Sequence, residues 1–257
     1  MKTLLITGGT KNTGFAIAEK FASEGYSVAL TSRDGGAAVR AADAIAKKYS
    51  VPAIGLSLDL TDVKRIEKVF EEASAFLGGI GVFVANSAEL GIGLDIERST
   101  EEDYYNVTEV NLKGTFFCCR EAALTMKKQG GGSIVTLGSV QGEGAVPGRA
   151  LYSMTKAALK LLVKSLAYEF GGYGIRANNV VCGAIRTERW DGIDENELEA
   201  RRNRYPAGRE STAGEIAEAV WFLGSGASPT VTGTSLTVDS GLSACLVPYK
   251  KPNGGEK

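Results

Sequence analysis

The 257-residue chain contains no histidine. This absence excludes Ser–His–Asp and Cys–His nucleophilic machinery and any metal site built on imidazole, so acid–base chemistry must come from Tyr, Lys, Cys, Asp or Glu. The four cysteines, Cys118, Cys119, Cys182 and Cys245, form no CxxC pair. Free thiols in a reducing compartment are the simplest interpretation, and we predict no metal site.

The chain also has little net charge and no long apolar run. Lys and Arg number 29 against 30 Asp and Glu, which gives no basic surface for nucleic acid. No stretch approaches the roughly 18 apolar residues that cross a bilayer. The first residues, MKTLLITGG, turn to glycine too early for a secretory signal. We therefore expect a cytoplasmic protein whose partners include neither nucleic acid nor a membrane.

The sequence does show a regular alternation of short β-branched runs with longer amphipathic stretches. It predicts strands at 3–7, 27–32, 52–57, 81–85, 133–138, 175–181 and 235–238. It predicts helices at 13–25, 37–49, 62–77, 103–128, 151–171 and 213–223. Thr61 is the expected N-cap of the third helix. Such alternation predicts an α/β fold in a single domain, with a Rossmann-like, doubly wound parallel sheet of seven strands and helices on both faces.

One segment departs from this alternation. Residues 184–211 are dense in charges of both signs, and a connection of that length in a compact domain usually serves a function. We predict a substrate lid there, with a short helix at 196–204, within a domain covering 1–247. The polar residues 248–257 are predicted to form a flexible tail.

The first predicted strand leads directly into a glycine-rich turn that opens a helix. The turn reads Thr7-Gly8-Gly9-Thr10-Lys11-Asn12-Thr13-Gly14. Glycine lets backbone N–H groups approach a pyrophosphate, and the N-terminus of the helix favours its negative charge. The alternative is a plain turn in which glycine only provides tightness.

The end of the second strand bears on which dinucleotide is bound. Folds that use NAD usually place an acid there, against a ribose hydroxyl, whereas this strand ends in Ser32 and Arg33. A hydroxyl and a guanidinium suit a 2′-phosphate, and Lys11 adds a positive charge. We therefore predict NADP(H) in preference to NAD(H). The alternative is a surface arginine that pairs with Asp34.

Tyr152 and Lys156 lie four residues apart at the start of a predicted helix, so they share one face. A phenol with a pKa of about 10 is a poor base at neutral pH, but a neighbouring ammonium stabilises the phenolate. Ser139 follows the fifth predicted strand, and Asn111 lies in the fourth predicted helix. By itself, a Tyr–Lys pair also arises by chance on exposed helices.

Together, the four positions resemble the catalytic set of the short-chain dehydrogenase/reductase family. The resemblance extends from Thr3 to about Leu242. It implies an enzyme that interconverts a ketone or aldehyde with an alcohol by hydride transfer, acting on a small molecule. It also implies a homotetramer or homodimer, for which Phe116/Phe117 and Leu159/Leu162 are candidate contacts if they are not core.

The resemblance implies a role for each member of the set. Tyr152 donates a proton to the carbonyl oxygen as hydride arrives, or removes it in oxidation, and Ser139 hydrogen-bonds that oxygen. Lys156 lowers the pKa of the tyrosine and binds the nicotinamide ribose. Asn111 holds its helix and a water in a proton relay through Lys156.

The resemblance also implies the cofactor contacts, and the chain departs from the family pattern at three places. Asn12 replaces the middle glycine of the TGxxxGxG loop, Ala-Asn-Ser-Ala around Asn86 replaces NNAG, and Cys182 replaces a proline. Asparagine adopts positive φ more readily than most residues, so the turn is expected to survive. The expected contacts are Thr7, Gly8, Thr10, Lys11, Asn12, Thr13, Gly14, Ser32, Arg33, Asp59, Leu60, Asn86, Tyr152, Lys156, Gly183, Ile185 and Thr187.

The sequence defines the substrate pocket less sharply. We predict that it is lined by Ser139, Gln141, Glu89 and Trp190, a polar set that favours a hydroxylated substrate; Glu143 more simply faces water. Two other functions stay open. One is a catalytically silent NADP-binding regulatory protein, and the other is an epimerase or dehydratase with a tightly held cofactor.

Overall fold

The fold is built on one parallel sheet of seven strands in the order β3-β2-β1-β4-β5-β6-β7. The computed structural model describes residues 1–245, 247 and 249. The strands are β1 (Thr3–Thr7), β2 (Ser27–Ser32), β3 (Ala53–Ser57), β4 (Val82–Ala85), β5 (Gly132–Ser139), β6 (Ile175–Cys182) and β7 (Ser235–Val238). The strand order reverses between β1 and β4, and a crevice is expected there beyond the carboxyl ends of the strands.

Helices cover both faces of the sheet. They are α1 (Asn12–Ser23), α2 (Gly35–Tyr49), α3 (Val63–Leu77), α4 (Glu101–Thr108), α5 (Thr115–Gln129), α6 (Ala150–Phe170), α7 (Glu195–Arg202) and α8 (Ala213–Gly224). One core contains buried residues of α1, α2 and α8, and the other contains buried residues of α3, α5 and α6. The predicted doubly wound α/β fold is confirmed.

The strands separate these two cores by their alternation. Leu4 and Ile6 of β1 lie in the core with α1, and Leu5 between them lies in the core with α3. Successive side chains of a strand point to opposite faces, so a strand buried on both faces reads as a continuous apolar run. This is why the short runs marked the strands correctly.

The fourth predicted helix, 103–128, is wrong as one continuous α-helix. A π-helical turn, Glu109–Gly114, separates α4 from α5. The side chain of Asn111 within it is buried and bonds both ways with the backbone of Glu89, as donor at 2.8 Å and as acceptor at 2.7 Å. This long-range contact accompanies the widened turn, a feature often found at functional sites.

The predicted N-cap of α3, Thr61, is also wrong. Asp62 caps the helix instead, because its Oδ1 accepts from the backbone N–H of Arg65 at 3.0 Å. The Thr61 hydroxyl and N–H both donate to the carboxylate of Asp59. The threonine is therefore committed to the turn after β3 and is not available to the helix.

The segment 184–211 joins β6 to α8 and contains α7, close to the helix predicted at 196–204. Its ends are tied together, since Arg186 N donates to Ser211 O at 2.9 Å. Next to this tie, the buried Glu210 carboxylate pairs with the guanidinium groups of Arg186 and Arg202. Apart from Tyr249, the predicted tail at 248–257 lies outside the described residues.

Three of the four apolar side chains considered for an interface belong to the core. Leu159 is 3% exposed, and Phe117 and Leu162 pack against the core around α5 and α6, whereas Phe116 is half exposed. On α6 the exposed apolar side chains are Met154, Leu161 and Tyr168. Within the described part of the chain, no helix combines the length and the apolar character needed to cross a bilayer.

Candidate active site

A cavity of about 620 Å³ opens beyond the carboxyl ends of the strands. It lies where a doubly wound sheet is expected to bind ligands. All but two of the predicted site residues line it: Gly8, Thr10, Lys11, Asn12, Thr13, Gly14, Ser32, Arg33, Asp59, Leu60, Asn86, Glu89, Ser139, Gln141, Tyr152, Lys156, Gly183, Ile185, Thr187 and Trp190. The two exceptions, Thr7 and Asn111, lie behind its wall.

The glycine-rich turn presents backbone to this cavity. Asn12 has φ of 48°, so the asparagine adopts the left-handed conformation that favours glycine, as predicted. No side chain caps α1, and its first turn contains no acid, whereas Asp34 and Asp62 cap α2 and α3. The first N–H groups of α1 can therefore serve an anion such as a pyrophosphate.

Asn86 holds the turn in place from the end of β4. Its side-chain amide donates to the carbonyls of Thr7 and Gly8, each at 3.0 Å. The Thr7 hydroxyl accepts from the N–H groups of Asn86 and Ser87, at 3.1 and 3.2 Å. Thr7 is thus a buried support of the turn, and these bonds form without the family's NNAG sequence.

Gly14 lies where the turn leaves no room for a side chain. An added Cβ would lie 2.0 Å from the carbonyl oxygen of Gly8 and 2.7 Å from the Asn86 amide nitrogen. Relief of such overpacking costs about 1–3 kcal/mol, so we expect Gly14→Ala to weaken NADPH binding by roughly ten- to a hundredfold in a fluorescence titration. Gly172→Ala, where nothing lies within 4 Å, is the matched control. Equal dissociation constants for both variants would contradict this role.

At one end of the cavity, Arg33 is exposed, as the alternative of a surface arginine expects, but the Asp34 carboxylate is engaged elsewhere. The Asp34 carboxylate caps α2 by accepting from Ala37 N at 3.0 Å, and it lies 3.9 Å from Arg40. The N–H of Asp34 donates to the Ser32 hydroxyl at 3.2 Å. The hydroxyl and the guanidinium that end β2 therefore both line the cavity.

Asp59 completes this end of the cavity. The Thr61 N–H holds the pKa of this carboxyl below its usual value, and the positive charge of Arg33 adds to the effect. Asp59 therefore stays ionised at neutral pH. It belongs to the turn after β3 and lines the cavity, and its contact with the cofactor stays a prediction.

At the other end, Ser139, Tyr152 and Lys156 share the cavity wall. Ser139 ends β5, while the other two lie one turn apart at the start of α6 and are at most 9% exposed. The Lys156 ammonium donates to the carbonyl of Leu137 at 2.6 Å and lies 5.6 Å from the centroid of the Tyr152 ring. Burial lowers the pKa of Lys156 to about 8. The predicted hydroxyl, phenol and ammonium are thus brought together.

Asn111 lies behind this group and is 2% exposed. Its amide donates to the Thr155 hydroxyl at 3.2 Å, and that hydroxyl donates to the carbonyl of Tyr152 at 2.7 Å. With its two bonds to Glu89, Asn111 joins the π-turn, the loop after β4 and the start of α6. Its position is that of a support for the helix that carries Tyr152.

The predicted substrate side is polar. Gln141, Glu89 and Trp190 lie on the wall, and the Glu89 carboxylate accepts from the N–H of Leu90 at 3.0 Å. The Trp190 ring lies 5.2 Å from the guanidinium carbon of Arg201 in α7. Glu143 forms an ion pair with Lys160 away from the cavity.

Several residues of the cavity wall were not predicted from the sequence. They are Thr31, Leu58, Ser87, Ala88, Leu90, Val110, Leu137, Gly138 and Cys182. Most of them are neighbours of predicted residues at strand ends, so adjacency to a strand end was the available signal. Cys182 is buried, and burial raises the pKa of its thiol to about 12, so it stays protonated. Arg149, 4.6 Å from the centroid of the Tyr152 ring, was also missed.

Known proteins are similar to this chain in sequence. The model of the enoyl-(acyl carrier protein) reductase family matches residues 9–243. The 3-oxoacyl-[acyl-carrier-protein] reductase FabG of Aquifex aeolicus is 36% identical over 94% of this chain and 97% of its own length. Carbonyl reductase family member 4 of Danio rerio is 34% identical, with coverage of 93% and 96%.

Solved structures of other proteins are similar to this chain in fold. A gluconate 5-dehydrogenase from Burkholderia cenocepacia, in complex with NADP and tartrate, matches with a TM-score of 0.88 and 29% identity over 95% of this chain and 96% of its own. A short-chain type dehydrogenase/reductase from Mycobacterium marinum matches with a TM-score of 0.87 and 28% identity, with coverage of 95% and 96%. The chain belongs to the short-chain dehydrogenase/reductase family of oxidoreductases, which use nicotinamide cofactors.

Proposed function

We propose that this chain is an NADP(H)-dependent oxidoreductase that interconverts a ketone or aldehyde with a primary or secondary alcohol. The observation that carries the proposal is that Ser139, Tyr152 and Lys156 line the same cavity as the glycine-rich turn. A nicotinamide bound there supplies or accepts the hydride, while the protein supplies position and charge.

In the direction of reduction, the Tyr152 phenol donates its proton to the carbonyl oxygen. The Ser139 hydroxyl donates a hydrogen bond to the same oxygen and stabilises the charge that develops on it. The Lys156 ammonium stabilises the phenolate left behind. Asn111 keeps the start of α6 in register with the loop after β4 through its bonds to Thr155 and Glu89.

The preference for NADP(H) rests on the end of β2. Ser32 and Arg33 line the cavity, and the acid that follows them in the sequence, Asp34, is used as a helix cap. A guanidinium forms charge-assisted hydrogen bonds with a phosphate, whereas a carboxylate would repel it. The related gluconate 5-dehydrogenase was solved with NADP.

We expect Arg33→Ala to raise the KM for NADPH about tenfold or more while changing the KM for NADH little. The reason is that a charge-assisted hydrogen bond contributes about 1.5–3 kcal/mol and only NADPH has the 2′-phosphate. Initial rates with each cofactor measure the effect. Arg40→Ala, an exposed cation near Asp34, is the control. An equal change in both KM values would argue against the NADP(H) preference.

The substrate side favours a hydroxylated carbonyl compound, because Gln141, Glu89 and Trp190 offer hydrogen-bonding groups. The relatives act, by their names, on 3-oxoacyl carrier-protein thioesters, carbonyls and gluconate. A panel of hydroxylated ketones, 3-oxoacyl thioesters and simple aldehydes, run with both cofactors, tests the proposal. Consumption of NADPH with matching alcohol supports it, and tight binding of NADPH with no turnover of any member would instead favour the silent regulator.

We also propose that 184–211 is a lid over this cavity. Trp190, Thr187 and Ile185 of this segment line the wall, while the tie between Arg186 and Ser211 fixes its base. A closed lid excludes water from the nicotinamide end.

For assembly we propose a cytoplasmic homotetramer, or a homodimer, through the exposed apolar side chains of α5 and α6. These are Phe116, Met154, Leu161 and Tyr168, which is 91% exposed. Exposed apolar side chains grouped on neighbouring helices often mark contacts between subunits. Light scattering of the purified chain measures the state directly.

A further inference from the structure

A second cation, Arg149, lies directly against the ring of the proposed proton donor. Its guanidinium carbon is 4.6 Å from the centroid of the Tyr152 ring, nearer than the 5.6 Å of Lys156 Nζ. A guanidinium over an aromatic face is attracted by the electron density of the ring. That density increases when the phenol loses its proton, so the attraction is stronger for the ionised form.

Contacts with three segments hold Arg149 in this place. Its Nε donates to the side-chain oxygen of Gln141 at 3.0 Å, and the backbone N–H of Gln141 donates to the Ser139 hydroxyl at 3.2 Å. Its backbone pairs with Leu94 of the loop after β4, and its carbonyl accepts from Ser153 at the start of α6. A side chain fixed in this way acts on its neighbour without losing much conformational entropy.

The charges around Tyr152 come from several elements. Lys156 shares α6 with it, Glu89 approaches from the loop after β4, and Cys182 ends β6 on the same cavity wall. Burial raises the pKa of the Cys182 thiol to about 12, which keeps it neutral, and burial lowers the pKa of Lys156 to about 8. As pH rises, Lys156 therefore loses its charge before an arginine does. Arg149 is therefore a cation that remains beside the phenol.

We propose that Arg149 is a positioning residue that acts through Tyr152: its fixed guanidinium stabilises the phenolate that forms when the proton leaves, and its bond to Gln141 ties the phenol to the Ser139 side of the cavity. The proposal rests on the proposed function, in which Tyr152 is the group that exchanges the proton.

Ultraviolet difference titration of tyrosinate tests the proposal without substrate or cofactor. Subtracting the titration curve of Tyr152→Phe from that of the wild type leaves the ionisation of Tyr152 alone. For each Arg149 variant, the curve subtracted is that of the double variant that also carries Tyr152→Phe. We expect Arg149→Met to move the ionisation of Tyr152 upward by on the order of one pH unit, and Arg149→Lys to stay near the wild type. Lys160→Met removes a partly exposed cation of the same helix and should leave the curve unchanged. Coincident curves for Arg149→Met and wild type would overturn the proposal.

Gln141→Leu provides a second route if Arg149→Met does not fold. It removes the hydrogen bond that holds the guanidinium, so the ionisation of Tyr152 should move in the same direction by a smaller amount. No movement in this variant would count against the proposal. Because the titration needs no turnover, its outcome is separate from that of the substrate panel: a protein that reduced no carbonyl would still show whether Arg149 controls the phenol.

Discussion

Tyr152→Phe is expected to lower kcat by about 10²- to 10⁴-fold, the range for loss of a general acid–base group. The variant keeps the ring and loses only the hydroxyl. Tyr152 is 9% exposed at the start of α6, so a ring of the same shape fills the site without a cavity. The barrier rises because the other two members of the set do not replace the phenol: Lys156 is held against the Leu137 carbonyl, and Ser139 is a poor acid.

The dissociation constant for NADPH should stay close to that of the wild type, because the glycine-rich turn and Arg33 are unchanged. This separates loss of chemistry from loss of binding. Fluorescence titration and single-turnover rates measure the two quantities in the same preparation. Turnover near the wild-type rate would refute the assignment of the proton donor.

Lys156→Met is expected to abolish most turnover and to stabilise the fold. Lys156 is 5% exposed, with one carbonyl at 2.6 Å as its hydrogen-bond partner. A pKa of about 8 in place of 10.5 means that the charged form is disfavoured in the folded chain by about 3 kcal/mol. Methionine has a similar length and no charge, so the substitution removes this cost. Loss of activity with a gain of stability is what a functional buried charge predicts.

The dependence of stability on pH follows from the lowered pKa of Lys156. Between pH 8 and 10.5, the unfolded chain still binds the Lys156 proton that the folded chain has released. The free energy of unfolding of the wild type therefore rises with pH through this window, relative to the methionine variant. We expect the variant to be more stable by on the order of 1–3 kcal/mol at pH 7, and the difference to shrink as pH approaches 10.5.

Denaturant melts at several pH values give the comparison, and Lys160→Met is the matched control one turn along α6. Lys160 is partly exposed and pairs with Glu143, so its loss should neither stabilise the chain nor reduce turnover. A Lys156→Met variant that is less stable than wild type at pH 7 would contradict the cost assigned to the buried ammonium.

Most of the architecture could be predicted from local patterns. The strands β1, β2 and β7 begin and end at the predicted residues. In β1 and β2 the interior residues are buried on both faces, and in β7 polar and apolar residues alternate. Because the strands are parallel, their carboxyl ends all lie at one edge of the sheet, and the predicted site residues meet there.

The π-turn was not predicted, and the contact that accompanies it is distant in sequence. The side chain of Asn111, within Glu109–Gly114, bonds to the backbone of Glu89 in the loop after β4. The N-cap of α3 was predicted wrongly for a related reason. Thr61 and Asp62 are both good N-caps, and the choice depends on Asp59, which engages the threonine.

The role of Arg149 in the site could not be predicted from the sequence either. Its distance of three residues from Tyr152 is visible in the sequence, but a cation three residues before a tyrosine is common on helices. Arg149 is held against the ring by Gln141, which follows another strand and comes close to Arg149 only in the folded chain. Pairwise contacts between segments of this kind have no local signature.

The most direct test of the central claim is to follow one labelled hydrogen. NADPH in which both hydrogens on the reactive carbon of the nicotinamide are replaced by deuterium is incubated with a carbonyl compound that the panel identifies, and the product is analysed by mass spectrometry. We predict an alcohol with one deuterium on the former carbonyl carbon, formed about a hundredfold or more slowly when Tyr152→Phe replaces the wild type. A product formed without the label, or without net oxidation of NADPH, would contradict hydride transfer at this site.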